Sequence, residues 1–369
     1  MKTALLHDWL LDHRGGERVL ESIGEIFPEA DLFTLFCDES KISPQLSARK
    51  IHTALGGKSS LLLSRYRQLF PLYPLLLSTI KIPSDVDLVI SSSHCVIKGA
   101  QIPLKAKHIS YVHSPMRYMY DLYDLYFSSS PLLQKVVASS IRSLFQSWDH
   151  LSNERIDCLV ANSHFVAKRI QQYYGRSCHV IHPFVDLENI FSLRPAEVSR
   201  RSHFVMVTAF APNKRVDLAI KVFNELELPL KIIGSGQQGE MLEKMAGSSI
   251  SFLGNLSRSE VIKELYHAQA LIFPGVEDFG ITPLEALSLG TPVIAYKKGG
   301  VLETLNESVA LWFEGEKEEE REKNLKEALK DFQQNKFDGE VLVKRAMDFS
   351  KEKFQENFKE LCYDYGVRF

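Results

Sequence analysis

The sequence predicts an α/β protein of two doubly wound domains, and three observations carry that prediction. Short apolar runs alternate with amphipathic stretches, as in Thr3-Ala4-Leu5-Leu6, Asp31-Leu32-Phe33-Thr34-Leu35, Val86-Asp87-Leu88-Val89-Ile90 and His108-Ile109-Ser110-Tyr111-Val112. This is the pattern of parallel strands joined by crossover helices. A chain of 369 residues exceeds one ordinary domain and matches two, and 45% hydrophobic residues supply two cores. Glycine-rich turns follow several apolar runs, at Gly15-Gly16, Gly234-Ser235-Gly236 and Gly299-Gly300. Ligands of such sheets gather there, outside the carboxyl ends of the strands.

Composition narrows the function classes. A formal net charge of −2 gives no bulk electrostatic reason for a nucleic-acid partner. The five cysteines, Cys37, Cys95, Cys158, Cys178 and Cys362, are scattered and form no C-x-x-C pair. They indicate a reducing compartment and no zinc site. His7 and Asp8 arrive too soon for a signal-peptide core, so a cytoplasmic protein is expected. The best candidate for a bilayer span, Leu61 to Ile82, is broken by Arg65, Arg67, Pro71 and Pro74.

In the first domain, Gly15-Gly16 precede a helical pattern from Glu17 to Ile23. A glycine pair lets a ligand or another backbone approach closely, and it also makes a plain turn. The stretch Leu61 to Phe70, with Leu72 to Ile80 after it, mixes apolar, aromatic and basic residues. Such a segment can lie on an anionic membrane surface or pack as core helices. His113 stands at a strand end in Tyr111-Val112-His113-Ser114-Pro115-Met116-Arg117-Tyr118, and His108 falls on the opposite face of that strand, which argues against a shared metal. Tyr118, Tyr120, Asp121, Tyr123, Asp124 and Tyr126 offer aromatic faces and carboxylates suited to carbohydrate, although tyrosines at helical spacing also pack. Cys158 to Ala161 reads as a strand, with Ser163 capping the next helix. The domain boundary is placed near 185 to 200, with Pro183 stiffening a hinge.

The second domain opens with the strand Phe204 to Thr208. Gly234-Ser235-Gly236-Gln237-Gln238-Gly239 spells the dinucleotide fingerprint G-x-G-x-x-G, but the next strand ends in Gly254-Asn255 without the acid that would hold a ribose. The run Ala270-Leu271-Ile272-Phe273 leads through a loop to Thr282-Pro283-Leu284-Glu285, which reads as a helix start with proline at the first helical position. A helix N-terminus after a strand favours an anion such as phosphate. The acids Glu277 and Glu285 beside it would accept hydrogen bonds from hydroxyls, so a ligand with both groups fits. On spacing alone, Glu285 completing a capping box and Glu277 as a solvated acid remain the other reading. The strand Thr291 to Tyr296 leads to Gly299-Gly300, and Gly315 to Asp331 reads as a solvated helix rich in Glu and Lys.

The stretch from Glu277 to Glu285, with Asp-Phe-Gly-Ile-Thr-Pro-Leu between, resembles the acidic motif of retaining glycosyltransferase family four. The likeness covers nearly the whole chain, because separate motifs recur in the family's order. It implies the GT-B architecture, two Rossmann-like domains facing across a cleft. An acceptor-side domain would span 1–185, joined by a C-terminal helix at about 346–369, and a nucleotide-sugar domain would span 186–345. The resemblance makes Glu277, His113 and Lys214 the catalytic candidates. Gly15, Gly16, Lys214, Arg215, Gly234, Gly236, Glu277, Phe279, Gly280, Ile281, Thr282 and Glu285 are its substrate-binding candidates.

In that family Glu277 would hold sugar hydroxyls, Glu285 the ribose, and the N–H groups of Gly280, Ile281 and Thr282 the phosphate or sugar. Lys214 would neutralise the leaving diphosphate. The family often has an arginine five residues before that lysine; Ala209 stands there, which raises the question whether Arg215 replaces it. Retention would proceed on one face, with the departing phosphate helping to deprotonate the acceptor hydroxyl. No metal or cofactor is implied, since no D-x-D cluster lies near. Tyr111 to Tyr118 and Pro212 to Leu218 are similar to bacterial mannosyl- or rhamnosyltransferases of surface-polysaccharide assembly. This points to GDP-mannose as donor, a glycan or lipid-linked acceptor, and peripheral contact with the inner membrane surface. The rival readings are an NAD(P)-dependent oxidoreductase using Gly234-x-Gly236-x-x-Gly239, a phosphorylase-like enzyme, and a non-catalytic nucleotide-sugar-binding protein.

Overall fold

The computed structural model describes residues 1–117, 119–121, 123, 132–196 and 201–368, without the side chains of 132–138 and 335. The chain divides into two compact units, Met1–Pro183 with Phe354–Phe369, and Phe184–Lys353.

The first unit is built on seven parallel strands, β1 (Thr3–Leu10), β2 (Asp31–Cys37), β3 (Ile51–Thr53), β4 (Leu88–Ser93), β5 (Lys107–Val112), β6 (Cys158–Ala161) and β7 (His179–Val180). Their order in the sheet is β3-β2-β1-β4-β5-β6-β7. The chain reverses its direction of growth between β1 and β4, and a doubly wound sheet opens a ligand crevice at such a point. Every residue of β4 is buried, because parallel sheets are covered on both faces by their crossover helices. The Lys351–Asp364 helix supplies Phe354, Phe358, Leu361 and Cys362 to buried positions, and the Phe354 ring packs 5.9 Å from Tyr111 in β5.

The second unit repeats the plan with six parallel strands, β8 (His203–Val207), β9 (Leu230–Ile233), β10 (Ile250–Gly254), β11 (Ala268–Phe273), β12 (Val293–Tyr296) and β13 (Ala310–Phe313). The order is β10-β9-β8-β11-β12-β13, with the switch point between β8 and β11. Alternation at period two sorts the core into two layers. Phe204, Met206, Ala270, Ile272 and Ile294 meet the Val216–Leu226 and Glu318–Asp331 helices on one face. Val205, Leu271, Phe273, Val293 and Ala295 meet the Arg258–His267, Ile281–Ser288 and Gly339–Met347 helices on the other.

Both units are therefore doubly wound and Rossmann-like.

Candidate active site

In the second unit the loop after β11 carries Glu277 to the carboxyl end of the sheet, beside the switch point. Its neighbour is the Pro212–Lys214 turn after β8. The two backbones nearly touch at Gly275, where an added Cβ would lie 2.6 Å from the Asn213 carbonyl oxygen. The Val276 N–H donates to that oxygen at 3.2 Å. Any larger side chain at 275 would separate the loops, and their closeness brings Lys214 onto Glu277 as an ion pair between Nζ and Oε1. Both side chains keep about a fifth of their surface open, 17% for Lys214 and 21% for Glu277, so the pair is sheltered but reachable.

The following helix, Ile281–Ser288, differs from the sequence expectation. It starts two residues before Pro283, with Gly280 at φ +95° as its N-cap and no side chain capping it. The left-handed conformation, cheap for glycine, ends the loop earlier than the proline would. Glu285 therefore lies inside the helix and completes no capping box. Its carboxylate is buried, with Arg258 Nη2 2.8 Å from Oε1. That contact is an ion pair without hydrogen-bond alignment, since Arg258 Nη2 has no hydrogen-bond partner. Arg258 opens the helix after β10 and escaped sequence reasoning, because nothing local marks a pairing between separate loops. Ile281 and Thr282 form the first turn of the helix, where N–H groups lack partners within it.

The side chains of two candidates are engaged by neighbouring residues. Phe279 is 4% exposed and packs on Phe349 at 5.7 Å, so its side chain anchors the loop in the core. Arg215 stands in the left-handed region at φ 52° and contacts Asp217 through Nε and Nη2, both at 3.1 Å, with Glu318 3.3 Å away. Gly234 and Gly236 press against the loop after β8, where added Cβ atoms would lie 1.9 Å from the Thr208 oxygen and 2.6 Å from the Phe210 oxygen. Loop packing is thus a sufficient reason for both glycines.

In the first unit, polar groups gather at the β1–β4 switch point. Asp8, wholly buried, accepts four backbone N–H bonds, from His94 and Cys95 at Oδ2 and from Val96 and Ile97 at Oδ1, all between 2.7 and 2.9 Å. Burial alone would raise its pKa, but His94, His7 and those N–H groups outweigh burial and hold it below the usual range. The acid thereby fixes the turn that carries His94, whose Nδ1 is 3.4 Å from Oδ2. His113 Nε2 lies 2.8 Å from Ser92 Oγ, and its carbonyl accepts from Asn162. Desolvation, with His7 and His94 adding to it, pushes the His113 imidazole down to about 3, so the ring is neutral at physiological pH.

Gly16 faces this cluster, its missing Cβ 3.7 Å from His7 and 3.8 Å from His113. Gly15 and Gly16 form the first turn of the Gly15–Ile26 helix and do not precede it. Of the tyrosine-rich segment, Tyr118, Asp124 and Tyr126 lie outside the described residues. Tyr120 stacks on Tyr173 at 4.4 Å, Asp121 pairs with Arg169 at 2.7 Å, and the Tyr123 ring carries Arg142. Among the described residues no group of three or more His, Cys, Asp or Glu could hold a metal ion, and no helix is long and apolar enough to cross a membrane.

Two doubly wound, Rossmann-like units in one chain are the domains of the GT-B fold, an architecture of glycosyltransferases. The Glycosyltransferase Family 4 model matches residues 14–189 and the model for group 1 glycosyl transferases matches 193–340. The chain belongs to glycosyltransferase family 4, enzymes that carry a sugar from a nucleotide-sugar donor to a glycan acceptor. It is similar to the alpha-1,3/1,6-mannosyltransferase ALG2 of Yarrowia lipolytica, 25% identical over 378 residues that cover 84% of this chain and 78% of the relative. It is also 32% identical over 120 residues, 28% of this chain and 32% of the relative, to the GDP-mannose-dependent monoacylated alpha-(1-6)-phosphatidylinositol monomannoside mannosyltransferase of Corynebacterium glutamicum. The crystal structure of Anabaena Alr3699/HepE in complex with UDP and glucose shares the fold, with a TM-score of 0.70, 16% identity, and coverage of 99% of this chain and 100% of that one.

Proposed function

We propose that this chain transfers a mannosyl group, with retention, from GDP-mannose to a hydroxyl of a glycan or lipid-linked acceptor. The observation that carries the reading is the Lys214–Glu277 pair beside the glycine-capped start of the Ile281–Ser288 helix. It puts a cation, a carboxylate and a positive helix end within reach of one ligand, and a sugar diphosphate presents the matching anion and hydroxyls. As the bond from sugar to phosphate breaks, negative charge grows on the diphosphate. Lys214 exchanges Glu277 for that charge, and the carboxylate is released to accept hydrogen bonds from sugar hydroxyls. Cations placed where charge develops lower the barrier because they bind the transition state more strongly than the ground state. The side chains supply the positive charge in this scheme, so it routes no step through a metal.

Two mannosyltransferases among the relatives favour mannose, and the name of the corynebacterial one favours GDP. The neutral His113 of the first unit fits a site for the acceptor hydroxyl. An NAD(P) enzyme is disfavoured by the Gly254-Asn255 ending of β10, which offers no carboxylate to a ribose.

A surface feature of the first unit favours a membrane-bound acceptor. Between residues 41 and 84 stand Lys41, Arg49, Lys50, Lys58, Arg65, Arg67 and Lys81 with no Asp or Glu among them. Leu55, Leu61, Leu72 and Leu75 are at least half exposed in that stretch. Cations interleaved with exposed leucines suit an anionic lipid surface. Tyr73, Leu77 and Ile80 are buried, so the same segment also contributes to the core.

Thermal-shift titration with GDP, UDP, ADP and dTDP tests the donor, since a ligand of the native state raises its melting temperature. GDP is expected to give the largest shift, and GDP-mannose to support transfer. A shift with UDP and none with GDP would overturn the donor assignment. Co-sedimentation with anionic liposomes tests the surface, and failure to sediment would remove the membrane from the proposal.

A further inference from the structure

We propose that Lys298 is the second cation of the diphosphate site, taking the place of the arginine that this chain lacks at position 209. The inference rests on the donor site proposed above and deepens it.

The need follows from charge. In the loops that follow β8 to β12, counting the first residue of each helix, the cations are Lys214, Arg215, Arg258, Lys297 and Lys298. Four of them are matched by carboxylates, Lys214 by Glu277, Arg215 by Asp217 and Glu318, Arg258 by Glu285, and Lys297 by Glu314 at 3.2 Å. Paired charges cancel at a distance, so these four bring little net attraction for a diphosphate. Lys298 is exposed and has no ion-pair partner among the described residues. Among the described residues of these five loops, its positive charge is the unmatched one.

Its position fits the role. β12 is paired with β11, so the turn after β12 runs beside the loop that carries Glu277. The two are locked together, because the Gly300 N–H donates to the Glu277 carbonyl oxygen at 2.8 Å. The Lys298 N–H donates to the Tyr296 oxygen at 2.7 Å, which fixes the backbone from which its side chain extends. Lys298 thus starts two residues from the backbone contact with Glu277, whose own side chain holds Lys214. A lysine on a flexible four-carbon stem can swing to a phosphate that enters beside this pair. Ala209, by contrast, is an exposed residue on the loop after β8 whose side chain carries no charge for an anion.

The test uses the full chain and four proteins, wild type, K298A, K298R and A209R/K298A. Each is titrated calorimetrically with GDP and with guanosine, and with UDP and uridine, and is assayed for transfer from GDP-mannose. K298A is expected to bind the nucleoside diphosphate about tenfold more weakly or worse and to lose on the order of a hundredfold in kcat/KM, with nucleoside affinity unchanged. K298R should stay close to wild type, and the arginine introduced at position 209 in the double variant should recover most of the diphosphate affinity. Unchanged diphosphate affinity in K298A overturns the assignment, and so does an equal loss of nucleoside affinity, which would show a structural role. A wild-type chain that binds neither diphosphate overturns the donor site itself and the assignment with it.

Discussion

Replacing Arg258 by methionine isolates the electrostatics of the buried acid. Glu285 is 6% exposed and its Oε1 lies 2.8 Å from Arg258 Nη2, while a quarter of the arginine side chain remains open. With charge centres roughly 4 Å apart and an effective dielectric near 20, the gross attraction is about 4 kcal/mol. Desolvation of both groups offsets part of it, but removing one partner leaves the other's buried charge less compensated, at a cost of up to about 3–5 kcal/mol for a fully enclosed pair. Partial exposure of Arg258 lowers the expectation to about 2–3 kcal/mol. Urea unfolding measures it, followed by Trp312 fluorescence in a background with Trp9 and Trp148 replaced by phenylalanine, so that the probe reports the second unit. The double variant R258M/E285Q should regain most of the loss, because an amide carries no charge to strand. R258M within about 0.5 kcal/mol of the parent, or a double variant no better than the single one, would refute the reasoning.

Gly234→Ala should destabilise by about 3 kcal/mol or more, since φ is +131° and the new Cβ would sit 1.9 Å from the Thr208 oxygen; Gly175→Ala, at φ 66° with open space around it, should cost about 1 kcal/mol, and thermal melts compare the two. Burial pushes His108, like His113, down to about 3, against about 6.5 when unfolded. Below pH 6.5 the unfolded chain binds protons that the folded chain refuses, so stability present above that pH is lost as pH falls, at about 1.4 kcal/mol per unit for each ring. His108→Asn should flatten the slope between about pH 6.5 and 5 by that amount, and an unaltered slope in pH-dependent urea melts would count against it. Glu277→Ala should abolish transfer with an unchanged circular dichroism spectrum; near-normal transfer would remove the carboxylate from the chemistry. Transfer should survive EDTA, and inhibition reversed by Mg²⁺ would contradict a diphosphate held by lysines.

Much of the fold was legible because parallel strands buried on both faces read as uninterrupted apolar runs. Ala270 to Phe273 and Phe204 to Val207 were visible for that reason, and they are strands at the centre of their sheet. Lys214 and Glu277 were nameable from the family resemblance, but their contact depends on the missing side chain of Gly275, a tertiary fact. The start of the Ile281–Ser288 helix was misplaced because two local signals competed. Pro283 marks a helix start by its fixed φ, whereas Gly280 at φ +95° turns the chain earlier, and the glycine governs. Arg215 looked free beside Lys214, yet Asp217 and Glu318 hold it, and no rule of spacing reveals an acid from a distant helix. Asp8 went unnoticed since its partners are backbone N–H groups, which every sequence has.

The two units put one topology to opposite electrostatic uses, and the difference explains how a transferase can divide its work in the proposed scheme. Each has its switch point between the first and fourth strands of its sheet, and each collects polar groups there. In the second unit those groups are charged and partly open, as Lys214, Glu277 and Lys298 are, which suits a ligand that arrives with negative charge and leaves with more. In the first they include His113, an imidazole held neutral by burial, and a carboxylate whose oxygens are already occupied by backbone donors. An acceptor hydroxyl needs a neutral lone pair to orient it, and a positively charged ring could only donate to it. A depressed pKa keeps His113 neutral near physiological pH, so in the proposed scheme the burial that costs acid stability also suits it to an uncharged acceptor hydroxyl.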